Sequence, residues 1–114
     1  KTAVIPFLDD LSEQARKAGA VNTVVVRSDG TLYGHNTDGI GFVANVSARN
    51  PAFALKNSVV SVLGTGGAAR GICAAMTEAA EIRLVYRTLE KAQSLKKAIG
   101  DNVKSPRKGI TAVL

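Results

Sequence analysis

Apolar and polar positions change their spacing along this chain, and the changes outline its elements. In F-L-D-D-L-S-E-Q-A-R-K-A, residues 7–18, Phe7, Leu8, Leu11 and Ala15 fall on one helical face. Asp9 and Asp10 lie early and Arg16 and Lys17 late, as a helix dipole favours. Gly19 supplies the stop. The β-branched run 21–27 predicts a strand, Ser28-Asp29-Gly30 a turn, and Thr31 to Gly34 a returning strand. H-N-T-D-G-I-G-F follows at 35–42. Its Asn36 and Asp38 favour turns and caps, and its Gly39 and Gly41 permit close backbone approach or positive φ. A short helix is predicted over 40–49, broken near Asn50-Pro51.

The second half reads differently. Residues 58–63 (S-V-V-S-V-L) form a short apolar run, as expected of a strand buried on both faces. A glycine-rich turn occupies 64–67, a helix is predicted from about 68 to 79 and a strand over 82–86. Thr88 is placed to cap a helix running to about 99, with Gly100 as its stop. Strand, glycine turn, helix, strand, helix is the opening of a doubly wound α/β fold. The last dozen residues, with Pro106 and Gly109, are poorly patterned, and Ile110 to Leu114 could begin a third strand.

Composition narrows the class. At 114 residues the chain is long enough for one small domain, and 46% hydrophobic residues exclude wholesale disorder. Cys73 is the only cysteine, so no internal disulfide can form, which fits a reducing cytoplasm. No apolar run approaches the roughly 20 residues of a membrane span. The chain begins at Lys1 without Met and without a signal-like leader, so upstream residues are expected to be missing. Residues 83–114 hold eight Lys/Arg against two Asp/Glu and account for the entire net charge of +6. Such a basic stretch suits nucleic acid, an acidic surface, a phosphorylated cofactor or simple solvation. With two Tyr, three Phe and no recognised nucleic-acid motif, the chain lacks stacking platforms for RNA or DNA.

G-T-G-G-A-A-R at 64–70 contains G-x-G-x-x-A as Gly64, Gly66 and Ala69. Gly64 suits the tight turn, Gly66 a close approach to a pyrophosphate, and Ala69 close helix–strand packing. The amides around Thr65, Gly67 and Ala68 then face phosphate oxygens at a helix start. The strand before and the helix and strand after are the context a dinucleotide site requires. Sites for NAD usually carry an acid about 20 residues on, at the end of the second strand. Here Tyr86-Arg87-Thr88 stands there, with Lys91 one helical turn later. Arg87 is suited to clamp a 2′-phosphate, with Thr88 and Lys91 assisting, which favours NADP. Glu90 is the rival ribose ligand, but it lies past the strand end. No metal-ligating pattern stands out.

A-G-A-V-N-T at 18–23, D-G-x-L-x-G at 29–34, N-T-D-G-I-G-F at 36–42, G-T-G-G-A-A-R at 64–70 and R-T-L-E-K-A at 87–92 together resemble the shikimate dehydrogenase (shikimate/quinate dehydrogenase) family. The resemblance implies an α/β architecture. Residues 1–50 would end a substrate-binding domain, and 57–114 would begin a Rossmann-like, doubly wound NADP-binding domain. It implies that Lys1 and Asp38 are catalytic and contact substrate, with Asn22 a substrate ligand and Asn36 in a substrate-facing segment. The implied reaction is NADP-dependent reduction of 3-dehydroshikimate to shikimate, on the route to aromatic amino acids. The chain looks like an internal piece of such an enzyme, inactive and marginally folded by itself. The small-molecule substrate would be its partner, and a homodimer is left open for the full-length protein. Tyr86 stands where the family has Asn, and 101–114 match poorly.

The residue types suit that chemistry. Reducing a ketone places negative charge on its oxygen, which a lysine ammonium can stabilise and protonate. Plainer readings remain beside it. Lys1 reads as a solvated lysine, Asp38 as a helix cap, Asn22 and Asn36 as turn residues, His35 as structural and Cys73 as core. Quinate oxidation with NAD, or a non-catalytic nucleotide-binding relative, are the alternative functions.

Overall fold

The computed structural model describes residues 1–108. The third strand expected from Ile110 lies outside them. Two three-stranded sheets are present. In the first, β1 (Asp10–Leu11) runs parallel to β3 (Leu32–His35), which pairs antiparallel with β2 (Thr23–Val26). In the second, β4 (Val59–Leu63), β5 (Glu81–Tyr86) and β6 (Val103–Lys108) are parallel and lie side by side in chain order. Helices α1 (Glu13–Ala18) and α2 (Asp38–Arg49) belong to the first half, α3 (Gly67–Ala75) and α4 (Leu89–Ile99) to the second. The result is mixed α/β, as the spacing predicts.

Three expectations need correction. The helix expected from Phe7 begins only at Glu13. Ser12 is its N-cap, the hydroxyl accepting from the Ala15 amide at 3.0 Å. Asp9 instead accepts from the Leu32 amide, and β1 joins β3, because Leu8 and Leu11 pack over the bare Cα of Gly34. Tertiary pairing overrides the helical spacing there. Strand β4 is not buried on both faces. Val60 and Val62 pack on the core while Val59 and Leu63 are 51% and 80% exposed, so the helices cover one face of this sheet among the described residues. Finally, β6 occupies a stretch with no clear pattern. Its register shifts opposite Arg83 and Val85, so an extra residue is accommodated near Pro106, which has no N–H to donate. The second sheet thus has a strand over Val103–Lys108, where none was expected.

One core joins the halves. Ala69, Cys73 and Ala74 of α3, Ile82 and Leu84 of β5, Leu95 and Ile99 of α4 and Val103 of β6 are buried with Ala18 of α1. Cys73 is fully buried, and burial pushes its thiol up to about 11, so it is a core residue and a poor nucleophile. Helix α3 also crosses α2 at close range. A Cβ on Gly39 would collide with the Gly71 carbonyl and stand 2.8 Å from the Ala75 Cβ. Gly41, two residues on in the same helix, faces open space.

This contrast makes a matched pair. Gly39→Ala should destabilise the fold by about 1–3 kcal/mol through overpacking against backbone that cannot yield. Gly41→Ala should be neutral or stabilising by up to about 1 kcal/mol, since alanine favours helix. Denaturant midpoints of the two variants check this, and equal midpoints would rule out the close crossing.

Candidate functional site

The first cluster lies where β2 and the start of α2 meet the chain around Lys1. Lys1 Nζ is ion-paired with Asp38 Oδ2. Asn22 Nδ2 donates to Asp38 Oδ1 at 2.8 Å and to Thr37 Oγ1 at 3.1 Å, while its Oδ1 accepts from the Thr37 amide. Lys1 and Asp38 side chains are 55% and 51% exposed, so the pair opens to solvent and can meet a ligand.

Backbone geometry fixes these groups. The Val21 amide donates to the Lys1 carbonyl at 2.8 Å, and the Asn22 amide to the His35 carbonyl at 3.0 Å. Asn36 is buried. Its Nδ2 donates to the Ala20 carbonyl and its Oδ1 accepts from the Asp38 amide, an Asx turn that aims Asp38 outward. Both ends of Asn36 are therefore spent on backbone. Asp38 is the first residue of α2; the cap position is Thr37, with no side-chain cap bond. The carboxylate of Asp38 serves Lys1 and Asn22 rather than the helix end. His35 ends β3, its Nδ1 2.6 Å from Ser12 Oγ and its ring stacked with Tyr33, a structural placement.

The second cluster surrounds the glycine turn. Gly64 leaves β4 with φ 115°, a region that favours glycine. Gly66 is the N-cap of α3, and the helix start has no side-chain cap. A Cβ on Gly66 would meet nothing, so the space before the first-turn amides is open. Gly64, Thr65, Gly66, Tyr86, Arg87, Thr88 and Lys91 line one cleft of about 440 Å³. Thr65, Gly66, Gly67, Glu90 and Lys91 also line a second, of about 520 Å³, whose far wall is Thr2 and Ala18 to Ala20. The second cleft therefore reaches the neighbour of Lys1. Ala68 lies in the first turn of α3 but lines neither cleft. Glu90, one residue inside α4, is on the second cleft and not on the one that holds Arg87. No group of three or more His, Cys, Asp or Glu that could hold a metal occurs among the described residues. Nor is any helix there long and apolar enough to cross a membrane.

Arg70 is the residue that sequence reading passed over. It closes the G-T-G-G-A-A-R motif, yet its Nε donates to the Lys17 carbonyl in the other half at 2.7 Å. An arginine following the small residues of the helix start was the available signal.

A parallel sheet with a glycine turn at its strand ends, beside an open Lys–Asp pair, defines a Rossmann-like α/β protein with a second site next to the turn. Comparison with known proteins makes this specific. The chain is 46% identical over 101 residues to the shikimate dehydrogenase (NADP(+)) of Rhodospirillum rubrum, covering 87% of this chain and 36% of that protein. It superposes on ligand-free 5-ketofructose reductase of Gluconobacter sp. strain CHM43 with TM-score 0.80 at 38% identity, over 97% of this chain and 40% of that one. Quinate dehydrogenase of Corynebacterium glutamicum, in complex with NAD, gives TM-score 0.76 at 36% identity, over 91% and 39%. Solved shikimate dehydrogenases share the fold as well. No protein-family model matches the chain. The chain is homologous to the shikimate dehydrogenases, and it spans about 37% of the length of these relatives.

The Lys1 contact has a measurable signature. Its hydrogen bond to Asp38, followed by that from Asn22, holds the Asp38 carboxyl below its ordinary 3.8 against a burial penalty. A depressed carboxylate contributes stability above its unfolded value and loses it as pH falls through the folded one. Asp38 should therefore take up its proton at a lower pH than an ordinary aspartate. Carboxylate NMR titration of Lys1→Ala should show its midpoint moving up toward 3.8; an unmoved midpoint would mean that the ion pair does not form in solution.

Proposed function

We propose that this chain is part of an NADP-dependent shikimate dehydrogenase that reduces 3-dehydroshikimate to shikimate. The observation that carries the reading is the exposed Lys1–Asp38 pair, braced by Asn22, with the cleft on the glycine turn extending to Thr2, the neighbour of Lys1. The names of the homologues support the same reaction and cofactor. In this reading residues 1–50 serve the substrate and 57–114 the cofactor.

The residues present fit NADP. The open space before Gly66 and the uncapped amides of α3 suit a pyrophosphate, flanked by Gly64, Thr65, Gly67 and Ala68. Arg87, Thr88 and Lys91 share the cleft of Gly64 and suit a 2′-phosphate, with Arg87 offering a bidentate fork. When bound, the nicotinamide supplies the hydride. Lys1 donates a hydrogen bond to the ketone oxygen, stabilises the charge that gathers there and delivers a proton to it. Asp38 accepts from a ring hydroxyl and holds Lys1 in position. Asn22 presents its amide to the substrate and steadies Asp38. A cytoplasmic setting accompanies this reading, as the lone, buried Cys73 forms no disulfide within the chain. The quinate dehydrogenase with NAD lies on the same fold, so quinate is the competing substrate. Arg87 in place of an acid favours NADP over NAD.

In the full-length protein, Lys1→Ala should lower kcat for shikimate oxidation by about 10²–10⁴-fold and raise KM far less. NADP affinity should be retained, because the phosphate-side residues lie in the other half. Near-normal kcat would require a different acid and remove Lys1 from the mechanism. Arg87→Ala should weaken NADP by about tenfold to a hundredfold and leave NAD nearly unchanged. Equal losses with both cofactors would show that Arg87 does not read the phosphate. A kcat/KM for quinate above that for shikimate would shift the substrate to the competing reading.

A further inference from the structure

We infer that Arg70 is a positioning residue, clasping the C-terminal end of α1 and so setting the Lys1–Asn22–Asp38 cluster against the glycine turn. The last carbonyls of a helix have no partner within it, and a cation there is favoured by the dipole. Arg70 supplies both: its Nε donates to the Lys17 carbonyl at 2.7 Å across 53 residues of chain. Its guanidinium then lies on Gly19, where a Cβ would stand 3.0 Å from Cζ and Nη2. Gly19 has φ 64°, so the turn admits the arginine and the left-handed backbone together.

The three residues after Gly19 are each committed to the first cluster. The Ala20 carbonyl accepts from Asn36, the Val21 amide donates to the Lys1 carbonyl, and Asn22 reaches Asp38. Arg70 is the fourth residue of α3, and its own amide donates to the Gly66 carbonyl at 3.0 Å. One side chain therefore links the helix turn that follows Gly66 to the chain segment that holds Lys1 and Asp38. The link is partly buried, and buried packing of α1 on α3 through Ala18 surrounds it. The rival role is direct ligation of a phosphate, since Arg70 lines the larger cleft. Against it, Nε is spent on the Lys17 carbonyl and the guanidinium packs on Gly19, so only the Nη groups are left to meet an anion.

The effect on turnover rests on the dehydrogenase reading; the ordering of residues 19–22 does not. Arg70→Ala and Arg70→Lys are made in the full-length protein. Amide hydrogen exchange across residues 19–22 is measured beside steady-state kinetics with shikimate and NADP. In Arg70→Ala, exchange at Val21 should quicken by about tenfold or more while the β5 amides keep their protection. Its kcat should fall by about tenfold to a hundredfold, since small misplacements of reacting groups cost that much, with both KM values changing less than about threefold. Arg70→Lys can still donate one hydrogen bond to Lys17 and should recover part of both effects. Unchanged exchange over 19–22 in Arg70→Ala overturns the clasp whatever the activity, as does exchange that quickens equally throughout the chain. A raised KM for NADP with unaltered exchange and kcat makes Arg70 a cofactor ligand and overturns it too. A wild-type protein inactive with shikimate would remove the dehydrogenase reading, and the exchange result would still decide the clasp.

Discussion

Helix α3 packs against α1 on one side and α2 on another, and the relation between the two clusters depends on how closely it can do so. The contacts are made by small groups. Ala18 and Ala69 share the core, Gly39 meets the Gly71 backbone, and Cys73 is fully buried. Small residues let helix axes approach until backbone touches backbone, and close-packed backbone transmits displacement because it cannot repack as side chains do. Placing the Lys1–Asp38 pair beside the glycine turn is therefore a property of this junction, more than of either sheet.

Electrostatics divides along the same line. The half that carries Lys1 and Asp38 is balanced in charge, with Arg16 and Arg27 both near Asp10 and Lys17 near Glu13. Exposed pairs of that kind contribute little to stability, because water screens them and the long side chains lose freedom. The Lys1–Asp38 pair is equally exposed, so it too contributes little to stability. The net charge of +6 comes from the other half, and Arg87 and Lys91 bring part of it to the rim of the cleft that begins at Gly64. A polyanion drawn there meets uncapped helix amides as well as side-chain cations.

Much of this was legible in the residues. The strands at 23–26, 32–35, 59–63 and 81–86, the Gly19 and Gly100 stops and the glycine turn follow from local pattern and turn chemistry. The failures share a cause. Strand β1 was read as helix because Leu8 and Leu11 have helical spacing, and only contact with Gly34 decides otherwise. Strand β6 was missed because Pro106 breaks its pattern, and pairing with β5 tolerates the shift. Burial of β4 on both faces was inferred from an apolar run, which cannot report what lies against each face. Among candidate site residues, motif order led to Lys1, Asn22, Asp38 and Arg87, but not to Arg70, whose partner is a carbonyl that any residue at position 17 would offer.

That last case explains the division of labour between Asn22 and Asn36. Both sit in short motifs with the same flavour, A-V-N-T and N-T-D-G, and residue type alone treats them alike. Their surroundings separate them. Asn36 is 4% exposed, and both ends of its amide bind backbone, so a ligand would have to break a buried hydrogen bond to recruit it. Asn22 is exposed and bonds mainly to the side chains and amide of Thr37 and Asp38, partners that can reorient toward a ligand without opening the core. Asn36 therefore builds the turn that aims Asp38, and Asn22 bonds to the Asp38 carboxylate itself at the exposed side of the cluster. Two asparagines of one motif family thus take different roles through burial, which is a property of the folded chain.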